Sequence, residues 1–479
     1  MARSSAASVT PGCTTPVWLA PSISSTRFIR SNDTTSPPAA GTAAPDNPVP
    51  APRAVTLSPW APAFVVRPGS TAEVAAVLRV AVGHGLRVTA RGSGTGLSGA
   101  AVPASGGLVV SFERMNRVLE IDGANHAAVV QPGVTLAALD RATAAEGLVY
   151  PTYPGEMSAS VGGTIATNAG GMRAVKYGVT RRHVLGLEAV LASGEVLRTG
   201  GKIVKESSGY DLTQLLIGSE GTLALVTEAT VRLYPRLTSQ ATVLAPFATL
   251  EQVTAAVPVI VGSGIGPLIL EYVDTVTMSV ITANEDIDLG VPEAIREKTL
   301  AYLVVVLEER DDERLAGATE ELAELLTGLG APDVYVLPAG AARRLIEARE
   351  KAFWAAKGAG ADDILDTVVP RAAMAGFLAE AAGLAHGQGA LVIGTGHAGD
   401  GNVHLAVFQP DPVARAELLR GIFAAAAARG GAISGEHGIG HAKKRYFLEL
   451  ADPVALDLMR RVKRAFDPQG ILGPGVLFD

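Results

Sequence analysis

Residues 91–99 read Arg91-Gly92-Ser93-Gly94-Thr95-Gly96-Leu97-Ser98-Gly99, and the fold turns on the element that comes directly after them. Gly94, Gly96 and Gly99 spell a literal GxGxxG after a strand-like stretch, and Glu113 lies roughly 20 residues on, as a dinucleotide-binding βαβ unit requires. That unit also requires a helix directly after the glycines. Residues 100–107, AAVPASGG, carry a proline and two glycines, and the next regular element, 107–112, already reads as a strand. The doubly wound reading fails on context. There remains a glycine-dense loop whose successive N–H groups can converge on an anion.

Working outward, Phe64-Val65-Val66 reads as a strand, and a helix capped by Ser70 or Thr71, with Glu73 in its first turn, runs to Gly85. Residues 86–90 form the next strand. Short strands with glycine turns come next at 107–112, 127–130, 186–192, 196–198 and 223–233, and this block ends near Pro235. Beyond it, strands at 241–247 and 300–307 alternate with helices near 250–261, 292–298, 311–329 and 341–357, which suggests an α+β sandwich. A last helix spans 442–466. Residues 1–52, rich in Ser, Thr, Pro and Ala, read as a flexible leader.

A second stretch, residues 158–171 (SASVGGTIATNAGG), consists almost wholly of small residues, and a third, Ile217-Gly218-Ser219-Glu220-Gly221-Thr222, lies downstream. Small residues are needed where a flat ligand lies against backbone, and equally where two chains cross tightly. Together with Lys176-Tyr177-Gly178-Val179-Thr180 and Gly209-Tyr210-Asp211-Leu212, these loops resemble the FAD-binding domain of the vanillyl-alcohol oxidase and p-cresol methylhydroxylase (PCMH) superfamily. The resemblance is strongest to its branch of glycolate oxidase flavin subunits and D-lactate dehydrogenases, and it spans residues 60–479.

The resemblance implies an α+β chain: a PCMH-type FAD-binding domain over 53–236, then an α+β substrate (cap) domain with a C-terminal helical segment over 237–479. It implies FAD held by Arg91, Gly92, Ser93, Gly94, Thr95 and Gly96 of the first loop. Ser160, Gly162, Gly163, Thr167, Asn168 and Gly171 of the second would share the pyrophosphate, and Glu220 and Gly221 would meet the isoalloxazine or adenine end. Some relatives bond flavin covalently through a histidine of the first loop. Thr95 stands there, so non-covalent FAD is expected.

Five of the eight histidines lie between 386 and 441. Residues 396–404 (GHAGDGNVH) join two apolar strands, 390–394 and 403–408, and Gly435-Glu436-His437-Gly438 comes after a short strand at 432–434. Two imidazoles and a carboxylate make a ligand set suited to zinc or another divalent first-row ion. On spacing alone, a metal site and ordinary turn-capping histidines both stay open. The resemblance implies His397, His404 and Glu436 as metal ligands, His437 as general base, and Arg349 and Asn402 at the substrate.

This set suits oxidation of a 2-hydroxy acid. The hydroxyl proton needs a base with a pKa near the working pH, the alkoxide charge needs a cation, and the carboxylate needs the planar fork of an arginine. Relatives acting on 2-hydroxyglutarate carry a lysine near the position of Ile364, so a small monoacid such as lactate or glycolate is expected. The family's C-terminal Asn-Pro-Gly reads Gly473-Pro474-Gly475 here.

Composition narrows the partners. A net charge of −7 without a basic stripe argues against nucleic acid. A single cysteine, Cys13, excludes an internal iron–sulfur cluster, so electrons must leave to an external acceptor: a quinone, a cytochrome or an iron–sulfur subunit. No apolar run reaches the length of a transmembrane span. A cytoplasmic protein is expected, with peripheral membrane contact and a homodimer both left open. Competing readings are the flavin subunit of a multi-subunit glycolate oxidase, a flavoprotein scaffold without turnover, and the non-redox use of FAD by ether-lipid synthases.

Overall fold

The computed structural model describes residues 61–478 together with the strand Arg27–Arg30. That strand lies inside the expected leader and pairs antiparallel with Phe64–Arg67; the rest of residues 1–52, Cys13 included, lies outside the described residues.

The N-terminal domain holds two main sheets and a small third one that pairs Leu148–Val149 with Tyr234–Pro235. In the first, Leu108–Ser111 pairs in parallel with both Phe64–Arg67 and Val88–Arg91. The second is antiparallel, in the order Val118–Asp122, Ala127–Val130, Ala224–Arg232, Val184–Leu191, Val196–Gly200. Helix Thr71–His84 is capped by Ser70, whose hydroxyl accepts from the Glu73 N–H, and ends on left-handed Gly85. Its Val74, Leu78 and Ala81 pack with Val66 and Val110 of the first sheet and Val190 and Leu225 of the second. No helix succeeds the 91–99 loop, which is why this domain is not doubly wound.

The C-terminal domain is built on one antiparallel sheet of seven strands. Their order is Tyr335–Val336, Ser239–Phe247, Ala301–Glu309, Ile269–Asp274, Leu391–His397, Asn402–Phe408, Asp363–Val368. Alternation assigns the faces. Val243, Ala245 and Phe247 join Val253, Leu322, Phe377 and Phe423 from four helices on one side, while Leu244 joins Met278 and Leu345 from two helices on the other. Those two helices, Thr275–Asn284 and Ala339–Glu350, leave part of the second face open beside the last three strands.

Three sequence expectations change. The helix expected over 341–357 is two, Ala339–Glu350 and Ala352–Gly358, meeting at Lys351. The helix expected over 442–466 is also two, Lys444–Leu450 and Pro453–Phe466, because Pro453 starts a new helix that Asp452 caps. Residues 432–434 form isolated bridges from Ala432 and Ser434 to Val368 and Asp366 in place of a strand.

The chain's end returns to the N-terminal domain. The Lys463 ammonium donates to the Thr222 carbonyl at 2.8 Å, and Leu472 bridges to Val88. Among the described residues no helix is long and apolar enough to cross a membrane.

Candidate active site

The first glycine loop and the histidine-bearing turns line one continuous cavity of roughly 580 Å³. The two regions are fastened directly. Ser98 Oγ donates to the Gly438 carbonyl at 2.8 Å, and the His441 N–H donates to the Ser98 carbonyl at 2.9 Å. Glu220 takes the N–H groups of Ile439 and Gly440, each at 2.9 Å. Burial raises the Glu220 carboxyl against the pull of those two donors.

The loop wall differs from segment to segment. Gly92, Ser93, Gly94, Thr95 and Gly96 line the cavity, and no N–H from Gly92 to Leu97 donates to an acceptor among the described residues. Unpartnered N–H groups in a glycine-rich turn are the donor set an anion needs, so this loop fits a pyrophosphate.

The second segment behaves otherwise. It contains a short helix, Val161–Thr167, with Ser160 as its cap. The N–H groups of Val161 and Gly162 go to the carbonyls of Val134 and Pro132, and that of Gly163 goes to Ser160 Oγ. Ser160, Gly162, Gly163 and Thr167 therefore offer the cavity a wall without bulk, with little hydrogen bonding. Gly92 is required here, because a Cβ on it would stand 2.2 Å from Ser160 Oγ.

Four expected cofactor or substrate contacts lie elsewhere. Arg91 reaches back toward the carbonyls of Gly92 and Ser93. Asn168 ends the short helix at φ 52° and accepts the Arg181 N–H. Gly171, at φ 115°, is a chain crossing: a Cβ there would lie 1.8 Å from the Tyr153 carbonyl. Asn402 gives its amide to Asp366 at 2.8 Å and to the Thr367 carbonyl at 3.1 Å. None of the four is among the cavity-lining residues.

The opposite wall is made of side chains. His397 closes strand Leu391–His397 and His404 lies on Asn402–Phe408, where Thr395 pairs with His404. Their rings stand edge to face 4.9 Å apart, and both Nε2 atoms approach Glu436 Oε1, at 3.1 and 3.3 Å. His437 stacks on His404 with ring centroids 5.2 Å apart.

Two carboxylates that sequence reasoning passed over organise this wall. Glu271, fully buried on strand Ile269–Asp274, accepts from His397 Nδ1 at 2.6 Å and pairs with Arg349 at 2.7 Å. Asp366, also fully buried, gathers the N–H groups of Gly435, Glu436 and His437, the Ser434 hydroxyl, the Asn402 amide and the Lys443 ammonium. The available sequence signal was a lone acidic residue inside an apolar strand, since a buried charge demands partners.

Protonation is set by these contacts. Burial works against the charged His397 ring, yet Glu271 and Glu436 on either side lift it well above the usual histidine value, so a cation entering between His397 and Glu436 would have to displace the Nε2 proton. Burial likewise works to raise the Asp366 carboxyl, and His437 and Lys443 outweigh it, holding the group well below its usual range. Burial lowers His437 to about 4, helped by His404 and Lys443 and opposed by Asp366. Burial thus favours the neutral ring, the form of a histidine that can accept a proton.

A cation fits this wall. Ligand atoms of Asp366, His404, Glu436 and His437 all lie within 4.8 Å of one another. Asp366 is already saturated by donors, whereas Glu436 Oε2 is buried without a partner. His397 has its Nδ1 held by a carboxylate and its Nε2 turned toward Glu436, the arrangement that orients a metal-ligating imidazole. His397, His404 and Glu436 could then hold a cation, the set the family resemblance implies, with His437 the further imidazole within reach. Arg349, buried at the cavity wall, keeps an Nε without an acceptor among the described residues.

The sequence matches two family models: the FAD binding domain over residues 62–200 and the C-terminal domain of FAD linked oxidases over 236–477. It is 59% identical to an uncharacterized FAD-linked oxidoreductase of Mycobacterium tuberculosis, covering 88% of this chain and 92% of that one. Identity to a D-lactate dehydrogenase of Archaeoglobus fulgidus is 41%, over 86% of this chain and 90% of the relative. To the glycolate oxidase subunit GlcD of Bacillus subtilis it is 37%, over 87% and 89%. Among solved structures, p-cresol methylhydroxylase with substrate bound superposes with a TM-score of 0.72 at 17% identity, over 88% of this chain and 90% of that one. That last likeness is one of fold.

Proposed function

The chain belongs to the family of FAD-linked oxidases, in the branch that holds D-lactate and D-2-hydroxyglutarate dehydrogenases and glycolate oxidase subunits, and from that premise we propose that it oxidises a D-2-hydroxy monoacid of the lactate and glycolate kind to the 2-oxo acid. The observation that carries the reading is the shared cavity: unpartnered N–H groups of residues 92–97 at one side, and His397, His404, Glu436, His437 and Arg349 at the other.

When bound, non-covalent FAD supplies a hydride acceptor and a divalent cation, zinc first, supplies a Lewis acid for the hydroxyl oxygen. The protein does the rest. Arg349 grips the substrate carboxylate. Neutral His437 takes the hydroxyl proton; its ring stacks on His404, and the Asp366 carboxylate anchors the main chain beneath it by accepting the His437 backbone N–H at 2.8 Å. Glu271 sets the His397 tautomer and, through the same carboxylate, the position of Arg349. Asn402 acts through Asp366 on the 434–437 turn.

Electrons taken up by a bound flavin would have to leave to an external acceptor, since the chain's single cysteine excludes an internal iron–sulfur cluster. The uncharged Ile364 at the cavity wall supports a monoacid over a diacid, which would require a second cation there. The test is anaerobic mixing of holoprotein with D- and L-2-hydroxy acids while the oxidised flavin band is monitored. Bleaching by D-lactate or D-glycerate-type monoacids (and by glycolate), not by L-acids, is expected; no bleaching by any 2-hydroxy acid overturns the proposal.

A further inference from the structure

Two ligand sets overlap at the side-chain wall. In one, the Nε2 atoms of His397 and His404 both approach Glu436 Oε1, at 3.1 and 3.3 Å. The other is Asp366, His404, Glu436 and His437, whose ligand atoms all lie within 4.8 Å of one another. His404 and Glu436 belong to both, so a cation held by one set excludes a cation in the other. The consequences are opposite. Three protein ligands leave a position open for substrate and leave His437 free to take a proton. Four close a tetrahedral shell, as structural zinc sites do, and consume the base.

The choice between them falls on Asp366. His397, His404, Glu436 and His437 line the cavity, whereas Asp366 lies behind them, fully buried. A bare carboxylate in such a place would attract a divalent cation strongly. This one is not bare. Its Oδ2 accepts from the Ser434 hydroxyl and the His437 N–H at 2.8 Å each, and from the N–H groups of Gly435 and Glu436 at 3.2 Å each. Lys443 Nζ adds a fifth donor at 3.3 Å, and it alone among the five carries a charge. Neutral donors leave the carboxylate its charge. An ammonium cancels it and repels a second cation.

Lys443 has no other evident task. It is 8% exposed, does not line the cavity, and its further partner is Ser434 Oγ at 3.2 Å. It stands at the N-cap position of helix Lys444–Leu450 without a side-chain cap bond. A cation is the wrong charge for a helix N-terminus, and lysine cannot accept the N–H groups there. Its own N–H returns to the Ile439 carbonyl, which directs the side chain from the end of the 434–440 turn back beneath that turn.

We propose that Lys443 is a positioning residue that denies Asp366 to the cation, steering it to His397, His404 and Glu436 and so keeping His437 a base. This rests on the metal-assisted reading and deepens it: one buried ammonium decides which of two overlapping sites is used.

The test uses FAD-loaded protein carrying cobalt(II), whose visible band is followed to the red of the oxidised flavin band, with azide as the probe of an open position. In the wild type, azide shifts the cobalt band. In Lys443→Met the band differs from the wild type and the azide response is lost, while FAD content is unchanged. Turnover falls roughly 10²–10⁴-fold in the same variant, the loss expected when the base is tied up as a ligand. Lys443→Arg, which keeps the charge, restores the azide response. Should Lys443→Met fold poorly, Ser434→Ala removes a donor to the same oxygen and weakens the response in the same direction. A folded, yellow Lys443→Met protein with the wild-type band and azide response overturns the proposal and leaves the parent reading standing. A response still absent in Lys443→Arg assigns the effect to packing and overturns it equally. If the wild type takes up no cobalt, the cation itself is lost from the reading, and the role of Lys443 goes with it.

Discussion

Along the wall formed by residues 92–97 and 160–167 the cavity is bounded by backbone and small side chains, whereas the wall formed by residues 393–437 presents imidazoles, carboxylates and, from Arg349, a guanidinium. The first wall is suited to holding a large flat cofactor, because it offers close approach and N–H groups. The second is suited to chemistry, because each of its groups is fixed by a buried carboxylate. The difference teaches that holding and reacting can be damaged separately.

Four substitutions sharpen that separation. The largest effect is expected for His437→Asn, which removes the base: turnover falls by roughly 10²–10⁴-fold while the purified protein stays folded and yellow. Retained turnover in stopped-flow reduction would remove His437 from its role.

On the other wall, Gly92→Val places a side chain against Ser160, whose Oγ would stand 2.2 Å from the new Cβ. FAD affinity should fall about tenfold to a hundredfold, in line with ~1–3 kcal/mol of overpacking, with metal content unchanged; flavin titration of apoprotein measures it.

Glu271→Gln weakens the hold on His397 Nδ1. Metal affinity is expected to drop roughly 10–100-fold with FAD retained, read by metal analysis after dialysis against a chelator. Loss of FAD with metal kept would invert the assignment of the walls.

The smallest effect belongs to Arg349→Lys. A point charge replaces a fork, and KM for the hydroxy acid rises about tenfold, the cost of one charge-assisted hydrogen bond, with kcat changed far less. An unchanged KM would leave Arg349 as the ion-pair partner of Glu271 alone.

The two walls were not equally legible. Strand alternation, a cap at Ser70 or its neighbour Thr71 and the Gly85 stop were read directly, as was the absence of a helix after Gly99, because each is a local preference of the chain. The grouping of His397, His404, Glu436 and His437 was expected from the family resemblance, since spacing alone left ordinary turn-capping histidines equally open. Glu271 was not, since its partner His397 lies 126 residues away and only the pairing of strands Ile269–Asp274 and Leu391–His397 joins them. Asp366 was quoted as part of a motif but given no task, for the same reason.

The two glycine-rich segments looked alike in sequence and proved physically different. Residues 92–97 keep their N–H groups free, whereas residues 161–163 use theirs inside the domain, and the helix Val161–Thr167 was masked by Gly162 and Gly163, which disfavour helix locally. The breaks at Lys351 and before Pro453 were missed because apolar periodicity carries across them. Pro453 after Asp452 was a readable start signal.

The most direct measurement is a crystal structure of the holoprotein soaked with a divalent cation, with the metal located by its anomalous signal. The account predicts a single strong peak among His397, His404 and Glu436, and a flavin ring in the same cavity within contact of His437. A flavin ring outside that cavity, or a metal bound away from those three residues, would contradict it.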